Sequence, residues 1–316
     1  MIGIDTIEIR TNGPLQKRTL EKMAAQKTSV TFNNPSHSHY TTYQFRFGGG
    51  KDDRMPLLKY TKENQNIKLI IPSLPYFILG SSLRKIEQSN VTLVYEKIAG
   101  ILSDELGVKI INRIDEWNVT KADLYFDFQV ENDVGYYIKA LSTVPIQGYK
   151  TGNIAKETVY WQNNSRDIKF YDKHSECVAK QKNKVDIELS KGILRFEVSV
   201  TPKEFTATID CEEPKLNHFL SEKRTNELLT KYLSRVNMDN LYITTEGEMR
   251  SILTEKYGAG MAHNIVSYIK AMHDGYKSVS RATMYRYNVL LKAEGLAPIL
   301  GEKQLKPLSI FGNQSA

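Results

Sequence analysis

Apolar and polar side chains alternate in several short segments of the first two thirds of the chain. Successive side chains of a strand point to opposite faces of a sheet, so this alternation predicts strands with one buried face. A short apolar run adds one strand to those that alternate. The predicted strands cover residues 4–9, 43–47, 67–71, 122–130 and 193–200, with a hairpin within residues 158–172.

Apolar residues recur at helical spacing between these strands, and this spacing dominates after about residue 203. Asn90 is an expected N-cap of one helix, which Gly107 ends. Ser280 caps the last predicted helix, and two helices and a turn precede it, an order similar to a helix-turn-helix unit. The predicted helices cover residues 14–26, 90–106, 132–141, 216–236, 245–257, 261–273 and 280–294.

The change of pattern predicts an α+β domain at residues 1–205 and an all-helical domain at residues 214–316. The chain has 316 residues, 41% of them hydrophobic and 25% charged, which allows a sizeable core. Its formal net charge of +7 suits a polyanionic partner, above all nucleic acid. The two cysteines have no metal-binding spacing, and no apolar run reaches membrane-spanning length. We therefore expect a cytoplasmic protein without a membrane partner.

Three predicted strands each have one apolar face and one polar face. If they join one antiparallel sheet, their polar side chains can converge on a shared surface. The polar faces carry Asp123, Tyr125 and Asp127 in the first strand, Lys169, Tyr171 and Lys173 in the second, and Arg195, Glu197 and Ser199 in the third.

These residue types together can support phosphoryl transfer. Carboxylates at close range bind a hard divalent cation, which polarises a phosphoryl oxygen. A tyrosine hydroxyl can attack phosphorus, and a neighbouring lysine favours the phenolate and contacts the phosphate. The same residues are also typical of any antiparallel sheet with a solvated face, so the pattern alone leaves both interpretations open.

At these residues the sequence resembles the filamentous-phage gene II/X family of replication initiators and related plasmid proteins. The most similar stretch is Thr-Val-Tyr-Trp-Gln-Asn-Asn-Ser-Arg at 158–166, followed by Ile-Lys-Phe-Tyr-Asp-Lys-His-Ser-Glu at 168–176. Further matches are Gly-Ile-Leu-Arg-Phe-Glu-Val at 192–198 and Thr-Lys-Ala-Asp at 120–123. A fourth is the Gly-Tyr turn at 275–276 with the following Tyr-Arg-Tyr at 285–287.

The resemblance implies a fold related to the HUH endonucleases, with a central antiparallel sheet and helices on one side. It implies rolling-circle initiation, in which a tyrosine nicks one strand of an origin and leaves a 5′-phosphotyrosyl intermediate and a 3′-OH primer. Origin DNA, as duplex and as single strand, is the implied partner, with host helicase and polymerase, and Mg²⁺ or Mn²⁺ is the expected cofactor. The implied residues are Tyr171 and Lys173 for catalysis, Asp123, Glu197 and His39 for the metal, and Lys169, Arg195, Arg281, Tyr285 and Arg286 for DNA.

The sequence departs from the family pattern at the metal ligands. A paired-histidine motif is not clear, because His39 matches a His-Tyr pair of the family while His37 does not. Alternation also places His39 on the apolar side of its strand, so a buried or surface structural role competes with a metal role. The strand at 67–71 offers no carboxylate. Among the tyrosines, Tyr160 lies close to Tyr171 in sequence, and only the family match favours Tyr171.

Other functions remain open at this stage. A conjugative or mobilisation relaxase uses the same chemistry, and a non-catalytic DNA-binding regulator needs only the C-terminal helices. The joint presence of Tyr171, Lys173, Asp123 and Glu197 argues against a regulator without catalysis. A basic RNA-binding domain is the last alternative, and no aromatic ribonucleoprotein motif supports it.

Overall fold

The structure of the protein is a computed structural model. Strands and helices alternate along the first two thirds of the molecule, as the sequence pattern predicts. The structure describes residues 1–26, 30–33, 39–50, 52–108, 112–142, 144, 146–155, 157–164, 166–180, 182–209, 211–236, 242–273, 276, 278–301, 305–306 and 308–310. Its strands are β1 Ile4–Asn12, β2 Val30–Asn33, β3 His39–Arg46, β4 Leu57–Thr61, β5 Asn66–Ile71, β6 Asn118–Gln129, β7 Lys150–Ile154, β8 Thr158–Gln162, β9 Asp167–Asp172, β10 Ile193–Val200, β11 Tyr242–Thr244 and β12 Leu296–Leu300.

The helices fall in two groups, those between the strands and those that follow β10. The first group is α1 Lys17–Ala25, α2 Leu74–Leu79, α3 Val91–Leu106, α4 Val134–Leu141, α5 Lys173–Ala179 and α6 Lys184–Leu189. The second group is α7 Pro202–Ile209, α8 Leu216–Phe219, α9 Glu222–Val236, α10 Glu246–Tyr257, α11 Ala259–His273 and α12 Arg281–Ala293. Within the described residues, no helix has the length and apolar character that crossing a bilayer requires.

The main sheet is antiparallel throughout the described strands, in the order β2-β3-β4-β5-β1-β6-β10-β9-β8-β7. The expected antiparallel sheet is therefore confirmed, and the segment 158–172 is indeed a hairpin of β8 and β9. The register pairs Phe196 of β10 with Phe126 of β6 and with Phe170 of β9. Phe170 and Phe196 stack with ring centroids 4.7 Å apart. This apolar face packs against the longer helices, including α3 and α9.

The opposite face of the sheet is polar, but short helices cover part of it. Ser81 and Ser82 follow α2, and the Ser82 carbonyl accepts a hydrogen bond from Arg195 on this face. The Ser81 hydroxyl donates to Asp186 of α6 at 2.6 Å, which ties the two helical segments together. Helices therefore lie on both faces at this end, whereas the sequence predicted one side. The covering segments are too short for helical spacing to reveal them.

The C-terminal helices form a second apolar cluster, which includes Met249, Ile265 and Leu291. Helices α8 and α9 instead pack into the core of the main sheet. The prediction of one continuous helix at 216–236 is wrong. Leu220 has a ψ of 49°, which is outside helical geometry, and the segment forms two helices, α8 and α9. The division into domains at 1–205 and 214–316 stays a prediction, and the packing associates α9 with the first part.

A short parallel pair, β11 with β12, accompanies the helices in the region that the sequence predicted as all-helical. Ser280 caps α12 as predicted, since its hydroxyl accepts a hydrogen bond from the Thr283 amide, and Gly295 follows with a φ of 67°. Residues 274, 275 and 277 of the preceding turn lie outside the described residues. The helix-turn-helix unit therefore remains a prediction.

Candidate active site

Strand register brings the polar side chains of β6, β10 and β9 onto one face. Arg195 of β10 lies opposite Asp127 of β6 on one side and opposite Tyr171 of β9 on the other. Glu197 is two residues further along β10, between Tyr125 and Lys169. Directly paired residues of antiparallel strands point to the same face, so the expected convergence of polar groups is present.

The Tyr171 hydroxyl is held by Glu197. It donates a hydrogen bond to Oε2 of Glu197 at 3.1 Å, and the other carboxylate oxygen lies 3.4 Å from Nζ of Lys169. Burial and the charge of Glu197 raise the pKa of Tyr171 well above its ordinary value, while Arg195 opposes this effect. The phenol is therefore protonated at neutral pH, and its proton already points to a carboxylate.

Glu197 is suited to accept that proton. Burial raises its pKa above the ordinary value, Lys169 opposes, and the carboxylates of Asp5 and Asp123 raise it further. A carboxylate with a raised pKa has a higher affinity for a proton and is a stronger base. The pKa of Lys169 is lowered by burial, but Glu197 and Asp167 outweigh this effect and raise it, so Lys169 carries a positive charge.

Asp123 lies on the same face as Glu197, diagonally across β6 and β10, a placement that separates residues by about 7–8 Å. Its Oδ1 accepts a hydrogen bond from Ser199 at 2.5 Å, and Lys121 lies 3.4 Å from Oδ2. Asp5 is a third carboxylate near Glu197, and it accepts a hydrogen bond from Ser73 at 3.0 Å. The sequence analysis missed it.

A β-bulge explains the position of Asp5. The register of β1 shifts between Ile4 and Ile7, both of which are buried, so the two residues between them do not follow strict alternation. Bulges re-aim side chains and are frequent beside active sites. In the sequence, the sign of this bulge is that Ile4 and Ile7 are three positions apart in a strand that otherwise alternates.

The carboxylates have the donor chemistry of a hard-cation site, although they form no closed ligand cluster. In the part of the chain that the structure describes, no group of three or more His, Cys, Asp or Glu side chains is arranged to hold an ion. Mg²⁺ is commonly bound by one or two protein carboxylates together with water and substrate phosphate. Glu197 and Asp123 fit that limited role, with Asp5 as a nearby third oxygen donor.

His39 is far from these carboxylates in the sheet. Its strand, β3, is separated from β10 by the four strands β4, β5, β1 and β6. At about 4.8 Å between neighbouring strands, the separation is about 24 Å across the sheet. The sheet order therefore does not bring His39 to Glu197. The side chain of His39 and the whole of His37 lie outside the described residues.

Arg195 is buried, whereas the sequence analysis expected it to contact DNA. Its Nε donates to Oδ1 of Asp127 at 2.6 Å, and its Nη2 donates to Oδ2 at 2.8 Å. The guanidinium also lies 4.1 Å from the ring centroid of Tyr125. Its Nη1 has no hydrogen-bond partner among the described residues. Asp127, Ser82 and Tyr125 therefore hold Arg195 in the interior, next to the strand that carries Tyr171.

Lys173 begins α5 directly after β9, and Asp172 caps that helix through the amides of His174 and Ser175. The Lys173 ammonium is buried, lies 5.7 Å from the Tyr171 ring centroid and pairs with Glu176 at 2.6 Å. Lys173 and Glu176 line an open cleft of about 690 Å³ next to the tyrosine. Basic and acidic side chains share its wall: Asp5, Asp52, Asp53, Arg54, Lys173, Glu176, Lys180 and Lys182.

Tyr160 occupies the same face one strand away, opposite Lys169. Its ring lies over Gly152 of β7, where any Cβ would collide with the phenol. Gly152 thus accommodates Tyr160 at the edge of the sheet, and no hydrogen bond joins its hydroxyl to a described carboxylate. The two hydroxyls thus differ in their surroundings, since that of Tyr171 donates to Glu197.

The C-terminal residues expected to bind DNA are accessible. Arg281, Tyr285 and Arg286 of α12 are exposed, and Tyr285 retains 66% of its surface. The buried side of the same helix is formed by Tyr287 and Leu291. The helix therefore presents basic and aromatic side chains to solvent while its apolar side holds it in place.

Comparison with known proteins gives one match to a family. The family model Phage_CRI, which describes the N-terminal region of the replication-associated gene II protein, matches residues 1–213, and these include every element from β1 to β10. No curated protein matches the chain. Because the matched region covers more than half of the sequence and contains the whole polar face described above, the chain belongs to the Phage_CRI family of phage replication-associated proteins.

Proposed function

We propose that the protein initiates rolling-circle replication by nicking one strand of an origin with Tyr171. The observation that carries the proposal is the Tyr171 hydroxyl, which donates to Glu197 on the polar face of a Phage_CRI-family sheet. A relaxase would use similar chemistry for DNA transfer, but family membership favours replication.

In the proposed reaction, Glu197 removes the phenolic proton as the Tyr171 oxygen attacks the scissile phosphorus. A phosphotyrosyl bond forms to the 5′ phosphate while the bond from phosphorus to the 3′ oxygen breaks. The leaving 3′ oxygen takes a proton from Lys169 or from water and becomes the 3′-OH primer. Phosphoryl transfer relies mainly on positioning and charge stabilisation, which the side chains around Tyr171 can supply.

Two cations near Tyr171 support a contact with the phosphate. Lys173 lies beside the Tyr171 ring, and Lys169 remains partly exposed next to Glu197. Arg195 is fully buried against Asp127 and Ser82, so the proposed DNA contacts do not include it.

We further propose that Mg²⁺ or Mn²⁺ binds at Glu197 and Asp123, with water and substrate phosphate as its other ligands. Such an ion, when bound, would neutralise the phosphate and polarise its oxygens. Burial is the main cause of the raised pKa of Glu197, and the negative charges of Asp5 and Asp123 add to it; a cation would relieve that part of the repulsion. His39 is not included in this ligand set, given the four strands between β3 and β10.

Origin DNA is the proposed partner, bound through the exposed α12 residues Arg281, Tyr285 and Arg286. A helix with basic and aromatic residues near its capped N-terminus can enter a major groove and reach base edges. Host helicase and polymerase would then act on the nicked origin. These partners follow from the proposed reaction.

The test is a nicking assay on supercoiled DNA of the replicon that encodes the protein, with Mg²⁺ or Mn²⁺. Tyr171→Phe removes only the attacking oxygen and is expected to abolish nicking, while Tyr160→Phe, a matched change on the same face, is expected to retain it. A folded Tyr171→Phe protein that nicks as well as the unchanged chain would refute the proposal.

A further inference from the structure

A groove of about 1220 Å³ lies between the edge of the main sheet and the C-terminal helices. One wall is the segment from the end of α4 to the start of β7, which includes Tyr149 and Lys150. The other wall is formed by α11 and by the first turns of α12, which include Arg281 and Tyr285. The groove is separate from the cleft beside Tyr171.

Cationic, apolar and aromatic side chains line the groove. Among the described residues that line the groove, Lys150 and Arg281 are cationic and none is acidic. Apolar side chains, among them Met272 and Met284, form its floor with the buried ring of Tyr268. Tyr285 is 66% exposed, and Tyr149 is partly exposed. A large exposed ring beside cations, without acids, indicates a ligand that is anionic and has flat apolar faces.

We propose that this groove binds a single strand of DNA in extended form, an inference that rests on the proposed function. Stacking of bases on aromatic rings and a positively charged track for the backbone are the general means of single-strand binding. A duplex keeps its base faces stacked inside, so in this groove it would leave the apolar floor and the Tyr285 ring without partners. Arg281 and Tyr285 therefore serve the single strand, and Arg286, which does not line the groove, remains for the duplex. A folded protein segment would lack the regular negative charge that Lys150 and Arg281 can neutralise.

The groove is connected to the nicking face by β7. This strand is the open edge of the sheet, two strands from β9, and Lys150 points to the same face as Tyr160 and Tyr171. From the spacing of strands and of residues along them, Lys150 lies about 17 Å from Tyr171. A strand held at Tyr171 can pass over the end of β7 into the groove, within the span of about four nucleotides that small single-strand sites occupy.

The experiment measures binding of the full-length protein to a labelled oligothymidylate by fluorescence anisotropy, and compares it with a duplex of the same length. Tyr285→Ala and Lys150→Ala are expected to weaken oligothymidylate binding at least about fivefold, the lower limit for loss of one stacked base or comparable contact. Tyr136→Ala removes a tyrosine that is 45% exposed on α4 outside the groove, and Lys292→Ala removes an exposed cation at the far end of α12. These two controls are expected to bind like the unchanged protein.

Two results would overturn the inference. One is unchanged oligothymidylate binding by a folded Tyr285→Ala and a folded Lys150→Ala protein. The other is an equal loss with the two control variants, which would indicate a diffuse charge effect. Tyr171→Phe separates this inference from the proposed nicking function, because it is expected to bind oligothymidylate normally. If nicking does not depend on Tyr171 but the groove variants still lose single-strand binding, only the proposed function fails.

Discussion

The ion pair beneath the candidate site predicts a large and specific loss of stability when one partner is removed. The Arg195 side chain is fully buried and that of Asp127 is 8% exposed, with the two joined by hydrogen bonds of 2.6 and 2.8 Å. Asp127→Ala leaves the guanidinium with only the Ser82 carbonyl and the Tyr125 ring. Because an uncompensated charge then remains in the interior, the free energy of unfolding is expected to fall by about 3–5 kcal/mol.

The assay is equilibrium unfolding in urea, with an exposed ion pair as the control. Lys191 and Glu188 pair at 2.7 Å, but their side chains are 58% and 68% exposed. Glu188→Ala is therefore expected to leave the urea midpoint almost unchanged, because exposed ion pairs contribute little to stability. If Asp127→Ala lowers the free energy of unfolding no more than Glu188→Ala does, the ion pair with Asp127 does not hold Arg195 in the interior. The proposed support of the strand that carries Tyr171 would then be wrong.

Three further results are expected. Nicking should decline as the pH falls and Glu197 takes up a proton, because a neutral carboxyl neither accepts the phenolic proton nor binds a cation; Glu197→Gln should remove the activity, and full nicking by a folded Glu197→Gln protein would contradict its role as base. Burial opposes ionisation of Glu176, but Lys173 and Lys180 outweigh it and lower its pKa to about 2. Ionised Glu176 thus stabilises the fold fully above about pH 4.5 and loses this contribution as the pH falls toward 2. In Glu176→Gln, the free energy of unfolding should depend less on pH over that range. Arg286→Ala should reduce the slope of log affinity for origin duplex against log salt by about 0.9, and an unchanged slope would exclude a phosphate contact.

Alternation along single strands was sufficient to predict much of the sheet and the shared polar face. Tyr171 and Glu197 lie on that face because the period of a strand is two, whatever its neighbours are. Long helices such as α3 and α12 were equally predictable. A glycine follows each of them, and Ser280 caps α12, whereas Asn90 stands at the start of α3 without a side-chain capping hydrogen bond. These features are local, so the sequence contains them directly.

Features that depend on neighbouring strands were not predictable in this way. Strand order is a long-range property, and it separates His39 from Glu197 although both follow plausible motifs. The burial of Arg195 depends on Ser82 and Asp127, which are distant in sequence. Asp5 required a bulge that alternation alone does not describe. To predict any of these features, one would need to know which segments of the chain pack against each other, and the local pattern does not contain that information.

The most direct test of the central claim is identification of the residue that becomes joined to DNA. A single-stranded oligonucleotide containing the origin nick site, labelled at its 3′ end, is incubated with the full-length protein and Mg²⁺ or Mn²⁺. The account predicts a labelled protein–DNA adduct whose attached peptide carries the phosphodiester on Tyr171, and no adduct with Tyr171→Phe. An adduct on Tyr160, or one that persists in the Tyr171→Phe protein, would contradict it.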